Sequence, residues 1–528
     1  MYVNEIVNLK LAEAIENPIK LIENIKSNSF MKMRWFSLKN INNSNFKIVD
    51  FASFFDIKSY SMLILVIAEF EVRNDTLSQI TKTTSFIPMM AYFFSDDIGK
   101  NHMPILINKC KDELGADVLL EIHGKDFYVR IIDASVLPEY CENIVNGIIE
   151  EYDIKSNMGG RFLYTKAGYY TMFSNLDVFE LAKNESSNSL ILARNRVVLK
   201  TFRNITSNCI SESQTIRDLR VLGGFENVPN VYGELSYINR SFDKLSLCIC
   251  QEYIDNAISC FKIGFECLLE YMKTGEHDIY GFCNGSMIGE IGILLADMHL
   301  AMSKCNFKRT CFDNIKHIVL EEFKEISYAA LQAVRSFVKR TDDVSIIETC
   351  KTFETLYWNV IGDIEHMSDE FKCLYVSKCH GDMHLGQILV SNTKLYVSDF
   401  EGEPMKSIYA NTKIDTPLKD ISSMLRSFSY LGDIVLLSYG KKTEGHEELL
   451  TMWKNKAREN FIESYMARWY ELLGEKSFFL KSQVVLRLIS FFEIEKCLKE
   501  ILYEFVNRPE YIMIPLKHFI NMCREFLT

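Results

Sequence analysis

Apolar and polar positions change their rhythm along the chain. Up to about residue 135 the apolar residues come in short runs or alternate with polar ones. After an opening helix and KMRWFSLKN, the segments VDFASFF and SMLILVIAEFEVR predict strands. The middle stretch, to about residue 255, contains NSLILARNRVVLKTFR, which predicts two strands turning around Ala193 to Asn195. A helix over Glu212 to Leu222 and strands in VPNVYGELSYI and KLSLCICQEYI follow. From about residue 256 the period becomes 3.6. Met287, Ile288, Ile291, Leu294, Leu295 and Met298 fall on one stripe, and long helices are predicted through 315 to 366 and 450 to 508. One hairpin, QILVSNTKLYVSDF, interrupts them, with a turn at Ser391-Asn392-Thr393. The pattern predicts an α+β chain in three parts: residues 1–135, a β-rich part over 136–255, and a mostly helical part over 256–528.

The length of 528 residues agrees with that division, at roughly 150 residues per unit. A composition of 48% apolar and 24% charged residues is that of a globular protein. The net charge of −11 argues against a nucleic-acid partner, which needs a basic face. The N-terminus has neither the apolar core nor the cleavage site of a signal peptide, and the most apolar run, Met62 to Ala68, is too short to span a membrane. The 15 cysteines form no metal-binding framework. Cys248 and Cys250 share one face of a predicted strand and read as small core hydrophobes. Their number points to a reducing compartment, so a soluble cytoplasmic protein is expected.

The chemistry concentrates in CHGDMHLGQILVSNTKLYVSDFEGEP, residues 379–404. A loop presents Asp382 beside His380, with His384 close behind. The amide Gln387 follows, and the second strand of the hairpin ends at Asp399 and Phe400. Phosphoryl transfer needs such parts: one carboxylate to receive the proton of an attacking hydroxyl, and another, with an amide oxygen, to hold Mg2+ against phosphates. HGD alone is a weak signal. HGD with the amide offset, the hairpin and DF is far more specific.

Upstream, NESSNS places Ser186, Ser187, Asn188 and Ser189 between predicted strands, where backbone N–H groups can turn toward an anion. Lys200 follows near the end of the next strand, in reach of phosphate oxygens. Backbone groups at Gln251, Glu252 and Tyr253 would read an adenine edge. Near the C-terminus, Glu493, Lys496, Glu500, Glu504 and Asn507 share one helical stripe, opposite Ile494, Leu498, Ile501 and Phe505. Spacing alone makes that stripe a solvated charged face. The functional alternative is a polar wall for a hydroxyl-rich ligand, with Tyr503 and Arg508 beside it.

HGDMHLGQILV followed by DFEGEP resembles the maltokinase signature, HGDLHLGQ followed by DFEGEP. MRWFSLKN is similar to that family's QRWFGGK, NESSNS with LKTFR to EQSNTS with LKLFR, and EIEKCLKEILYEFVNRPEYIMIPL to its C-terminal stretch. Pieces of resemblance run from about residue 34 to 515. It departs at Ser37 and Leu38, where glycines are usual, at Ser187, where a Gln-Ser pair is usual, and at Tyr511, where Trp is usual. The resemblance implies a bilobal fold like that of eukaryotic kinases and aminoglycoside phosphotransferases: an N-terminal cap, a β-rich intermediate subdomain and a helical C-lobe. It implies ATP-dependent phosphorylation of the anomeric hydroxyl of maltose, with ATP and Mg2+ as cofactors, feeding glycogen and trehalose metabolism. Carried over by residue, Asp382 is the base, Gln387 and Asp399 hold Mg2+, Lys200 binds phosphates and Ser186 to Ser189 form the loop over them; the helix after Lys200 is implied to supply its acidic partner, for which Glu212 and Asp218 are both candidates. His380, His384, Glu401 and Glu403 lie in the signature without an assigned role. Tyr503, Glu504 and Arg508, then Glu495 and Lys496, are expected on the sugar side. The related alternatives are a glucosamine or other sugar kinase, and a non-catalytic partner of trehalose synthase.

Overall fold

The computed structural model describes residues 4–6, 10–25, 30, 44–56, 61–74, 79–95, 118–124, 127–167, 179–181, 189–193, 197–205, 212–274, 281–305, 310–311, 316–366, 375–402, 414–440, 444–474 and 483–527. KMRWFSLKN, Ser186, Ser187, Asn188 and Glu403 lie outside them. The chain divides into two compact units. The first is Met1–Ser213 with Pro229–Asp255, and the second is Gln214–Val228 with Asn256–Thr528. The passage at Asp255 falls where the hydrophobic period changes from strand-like to helical.

The first unit holds two sheets. The strands Ser44–Asp56, Ser61–Asn74 and Gln79–Ser95 form an antiparallel meander, continued by Phe127–Asp133 and Val118–His123. SMLILVIAEFEVR matches the 14-residue Ser61–Asn74 to within one residue, VDFASFF covers only part of the 13-residue Ser44–Asp56, and the 17-residue Gln79–Ser95 was not anticipated. The strand Ser61–Asn74 is buried on both sides. Met62, Ile64, Val66, Ala68 and Phe70 join one core with Ala14, Leu21 and Ile22 of the opening helices, while Leu63, Leu65 and Ile67 are also buried. A strand covered on both faces is continuously apolar and loses its alternation.

The second sheet runs in the order Asp153–Lys155, Arg161–Lys166, Val231–Ile238, Lys244–Glu252, Val197–Thr201, Ser189–Ala193 and Phe179–Leu181. The strand pair expected around Ala193 is present, with Leu190 opposite Lys200. The helix Pro138–Glu150 lies on this sheet, its Tyr140 hydroxyl 3.1 Å from Thr201 Oγ1. Cys141, Cys248 and Cys250 are buried there, and burial pushes the Cys248 thiol up to about 12. Such thiols act as core hydrophobes.

One buried carboxylate ties the two sheets of this unit together. Asp50, on the meander, accepts hydrogen bonds from Ser156 Oγ at 2.5 Å, Met158 N at 2.9 Å, Gly160 N at 3.1 Å and Tyr237 Oη at 2.6 Å. Burial, with the carboxylate adding, raises the Tyr237 hydroxyl well above its usual range. A buried donor stripped of its acceptor costs about 1–3 kcal/mol. Asp50→Ala is therefore expected to cost about 3 kcal/mol or more by the same count, read as a lower urea midpoint, and Asp50→Asn less because one acceptor oxygen remains. An unchanged midpoint would show that the turn at 156–160 holds without the carboxylate.

The second unit is built of the helices Cys260–Thr274, Ser286–Lys304, Lys316–Val338, Val344–His366, Pro417–Tyr439, Glu444–Leu473, Gln483–Asn507 and Met513–Phe526. The predicted stripe from Met287 to Met298 is buried throughout. Gly292 lets Ser286–Lys304 approach Glu444–Leu473 closely: a Cβ there would sit 2.7 Å from the Phe461 carbonyl oxygen. The predicted hairpin pairs Ile388–Ser391 with Lys394–Val397. Asn392 and Thr393 both take positive φ, 46° and 67°, the two-residue turn that matches strand twist.

Candidate active site

The loop 379–384 leaves the strand Tyr375–Lys378 and enters a single 3-10 turn, Leu385–Gln387, before the hairpin. Its backbone is anchored from below. Asp420, in the first turn of Pro417–Tyr439, accepts from His380 N at 2.7 Å through Oδ2 and from Gly381 N at 2.9 Å through Oδ1. The helix start is fixed by Thr416, whose hydroxyl accepts from Leu418 N, and by Pro417 at its first position. Behind Asp420, His299 Nε2 stands 3.0 Å from Oδ2, and the Tyr465 hydroxyl 2.9 Å from His299 Nδ1. All of this is buried. Burial alone would raise the Asp420 carboxyl. The hydrogen bond and charge of His299, with His380 and the Gly381 N–H, outweigh it and hold the group below its usual value.

On this anchored loop, His380 Nε2–H donates to the Ser398 carbonyl at 2.9 Å, so its Nδ1 is the acceptor for Asp382 N at 3.3 Å. The His380 ring also packs on Phe400, with centroids 4.8 Å apart. The loop and the hairpin's end are thereby fixed to each other. Asp382 Oδ1 accepts from Lys496 Nζ at 3.0 Å. Burial would raise the Asp382 carboxyl, but the Lys496 charge, then His384 and the Lys496 hydrogen bond, leave it below the ordinary range. Burial lowers His384. Asp382 opposes that shift, and Lys496 and His380 reinforce it. His384 Nδ1 caps the short turn by accepting from Gly386 N at 3.0 Å.

The hairpin brings Gln387 and Asp399 together, with Gln387 Nε2 donating to Asp399 Oδ2 at 2.8 Å. The register is closed by Ser398 N and Oγ, which both donate to the Gln387 carbonyl, at 3.0 and 3.1 Å. Asp399 has φ 68°, in the left-handed region, a conformation kept at a cost of order 1–3 kcal/mol and concentrated at functional positions. A carboxylate beside a carboxamide is a hard-oxygen donor pair that fits Mg2+, once the amide turns its oxygen rather than its nitrogen to the ion. Glu401 is half-buried just beyond.

In the first unit, Lys200 Nζ donates to Glu212 Oε2 at 2.8 Å, and both side chains are nearly inaccessible. This resolves the pairing: Asp218 instead accepts from Gln214 Nε2 at 2.7 Å. Ser189 departs from its expected place in a phosphate loop. It opens the strand Ser189–Ala193 opposite Thr201, and its hydroxyl accepts from Arg203 Nε and from Ser135 Oγ, both at 3.1 Å. Arg203 is in turn clamped on Asp133 at 2.6 and 2.7 Å. Gln251 and Glu252 pair with Val198 and Val197 at the sheet's end, Glu252 also receiving Asn230 N at 3.0 Å, and Tyr253 follows half-buried.

The C-terminal stripe is not a solvated face. Glu493 and Glu504 are buried, and the charges on Gln483–Asn507 meet partners on neighbouring helices or one turn away on the same helix. Arg458 Nη1 donates to Glu493 at 2.7 Å, Arg426 Nε to Glu500 at 2.8 Å, and Lys499 lies 2.8 Å from Glu495. Glu504 accepts from the Tyr430 hydroxyl at 3.2 Å and from Arg508 at 2.7 and 2.9 Å. Burial raises Glu504 above its ordinary value despite Arg508 and Tyr430. Tyr503, by contrast, is exposed, with the Arg508 guanidinium 5.3 Å over its ring. Of the residues expected on the sugar side, Lys496 is therefore brought to Asp382, while Glu495, Glu504 and Arg508 are held by other side chains. Asp420, His299, Tyr465, Tyr430 and Arg426 escaped the sequence reading. Only two carried a signal: His299, a polar residue directly after the apolar stripe, and Asp420, an acid just inside a Thr-Pro helix start.

No protein-family profile matches the chain. A glucosamine kinase of Mycolicibacterium smegmatis is 21% identical over 360 residues, spanning 66% of this chain and 82% of that enzyme. Among solved structures, one crystal form of a glucosamine kinase superposes with a TM-score of 0.56 at 13% identity, covering 94% of this chain and 98% of the other. A glucosamine kinase in complex with glucosamine, ADP and inorganic phosphate gives 0.51 at 16% identity over 66% of this chain and 82% of the other. At such identities the likeness establishes the fold, which is the expected α+β kinase-like one.

Proposed function

We propose that the chain is an ATP-dependent sugar kinase. The observation that carries this reading is the pairing of a backbone-anchored loop, presenting Asp382, with a hairpin that delivers Asp399 to Gln387. Asp382 binds the acceptor hydroxyl and takes its proton as the oxygen attacks the γ-phosphorus in line. Asp399 and Gln387 hold Mg2+, which supplies charge neutralisation at the phosphates when bound. Lys200, fixed by Glu212, holds phosphate oxygens. Catalysis then consists of positioning and charge complementarity, with no covalent intermediate. The reading also includes residence in the cytoplasm.

Two acceptors have support of different kinds. The DFEGEP and NRP motifs favour the anomeric hydroxyl of maltose, giving maltose 1-phosphate and a link to trehalose synthase. The names of the similar enzyme and structures favour glucosamine. ATP consumption against maltose, glucose, trehalose and glucosamine, with the product phosphate located by phosphorus NMR, tests both. Phosphate on the anomeric oxygen of maltose supports the first, and turnover on the amino sugar alone rejects it. Silence on every sugar, with retention on a trehalose synthase column, would replace the kinase reading by that of a non-catalytic partner.

A further inference from the structure

Lys496 was expected among the sugar ligands, but its ammonium faces a reacting group. We propose that Lys496 is the positioning and charge partner of the base Asp382, holding one carboxylate oxygen so that the other receives the acceptor's proton. The inference rests on the kinase reading above. Lys496 Nζ reaches Asp382 Oδ1 at 3.0 Å, and among the described residues no hydrogen bond reaches Oδ2. The carboxylate is therefore held by one oxygen and open at the other. The two side chains are 19% and 25% exposed, sheltered enough for the pair to be strong and open enough for a substrate to arrive.

The other cations of this helix layer are directed elsewhere. Lys499 and Lys419 lie 2.8 and 3.7 Å from Glu495, and Arg458 donates to Glu493. Lys496, on the same helix, turns to the loop instead. The remaining titratable groups around Asp382 are His380, whose Nδ1 accepts from the Asp382 N–H, and His384, which caps the next turn.

The pairing has a consequence for the reaction. The acceptor O–H bond breaks and its proton passes to Asp382 Oδ2. The freed electron pair forms the new O–P bond, and the bridging P–O bond breaks with its pair leaving on ADP. While Asp382 is charged, Lys496 is matched to it. Once Asp382 is protonated, the ammonium is no longer matched by the Asp382 charge, at the place where phosphoryl charge is being redistributed. Before the transfer, the same cation keeps Asp382 ionised toward acid pH.

The test is the pH dependence of kcat and kcat/KM for Lys496→Met and Lys496→Arg, with both KM values. Removing an opposite charge at this distance shifts a carboxyl upward by about one unit or more. The acid limb of kcat/KM should therefore move to higher pH by about one unit in Lys496→Met, with kcat at neutral pH down at least about tenfold, as for loss of a general-base arrangement. Lys496→Arg, which keeps the charge, should restore most of the limb. A raised sugar KM with unchanged kcat and an unmoved limb would make Lys496 a sugar ligand and overturn the proposal. So would wild-type behaviour of folded Lys496→Met. If Asp382→Asn itself turned over normally, the base assignment would fail, whatever Lys496 does.

Discussion

Asp382→Asn is expected to lower kcat by about 10²–10⁴-fold, the usual contribution of a positioned general base, while nucleotide affinity stays close to that of the parent chain. The substitution keeps the shape of the side chain and the N–H bond to His380 Nδ1, but removes the charge that pairs with Lys496 and the lone pair that accepts the hydroxyl proton. Lys200, Gln387 and Asp399 are untouched, so the parts assigned to the nucleotide persist. The measurement is single-turnover phosphate transfer alongside equilibrium titration with a fluorescent ATP analogue. Transfer at the parent rate would exclude Asp382 as the base, and equal loss of binding and turnover would move it to the nucleotide.

The second large effect is expected at Asp420, which touches no substrate. One carboxylate accepts two loop N–H groups and stands against His299, wholly buried. Removing one partner of a buried charged cluster costs about 3–5 kcal/mol. Asp420→Ala should lose about that much by denaturant unfolding, and the enzyme that remains folded should turn over more slowly, because His380, Gly381 and hence Asp382 are no longer fixed. Asp420→Asn should be milder in stability and still slow. The pH dependence has a definite sign. The folded Asp420 carboxyl lies below its unfolded value of about 3.9, so its contribution is complete above that pH and is lost as pH falls through the lower native value. The parent chain should therefore lose stability more steeply under acid than Asp420→Asn, and parallel acid-unfolding curves would refute the assignment.

Much of the candidate site was legible because its signals are local. In the stretch from His380 to Phe400 a two-residue turn fixes the register of a hairpin, and the register fixes that Asp399 returns to Gln387. The strand pair carrying Lys200 is local in the same way, and its helix-borne partner was narrowed to Glu212 or Asp218 from sequence. The strand Gln79–Ser95 was not legible, since it opens with the mostly polar QITKTT and takes its strand state from pairing along Ser61–Asn74 rather than from an apolar pattern of its own. Nor was the state of the C-terminal charges. A stripe of Glu and Lys has the same spacing whether water or Arg458, Arg426 and Tyr430 lies opposite.

By itself, then, the sequence determined the α+β division near residue 255, the hairpin, and the return of Asp399 to Gln387 at its open end. Turn chemistry and hydrophobic period act over a few residues, and those features need nothing more. Tertiary structure alone decided which cation faces Asp382 and what holds its loop. Lys496 is 114 positions from Asp382 along the chain, and Asp420 is 40 from His380. Such pairs are chosen by how helices pack, since a buried charge must find its partner wherever the packing places one.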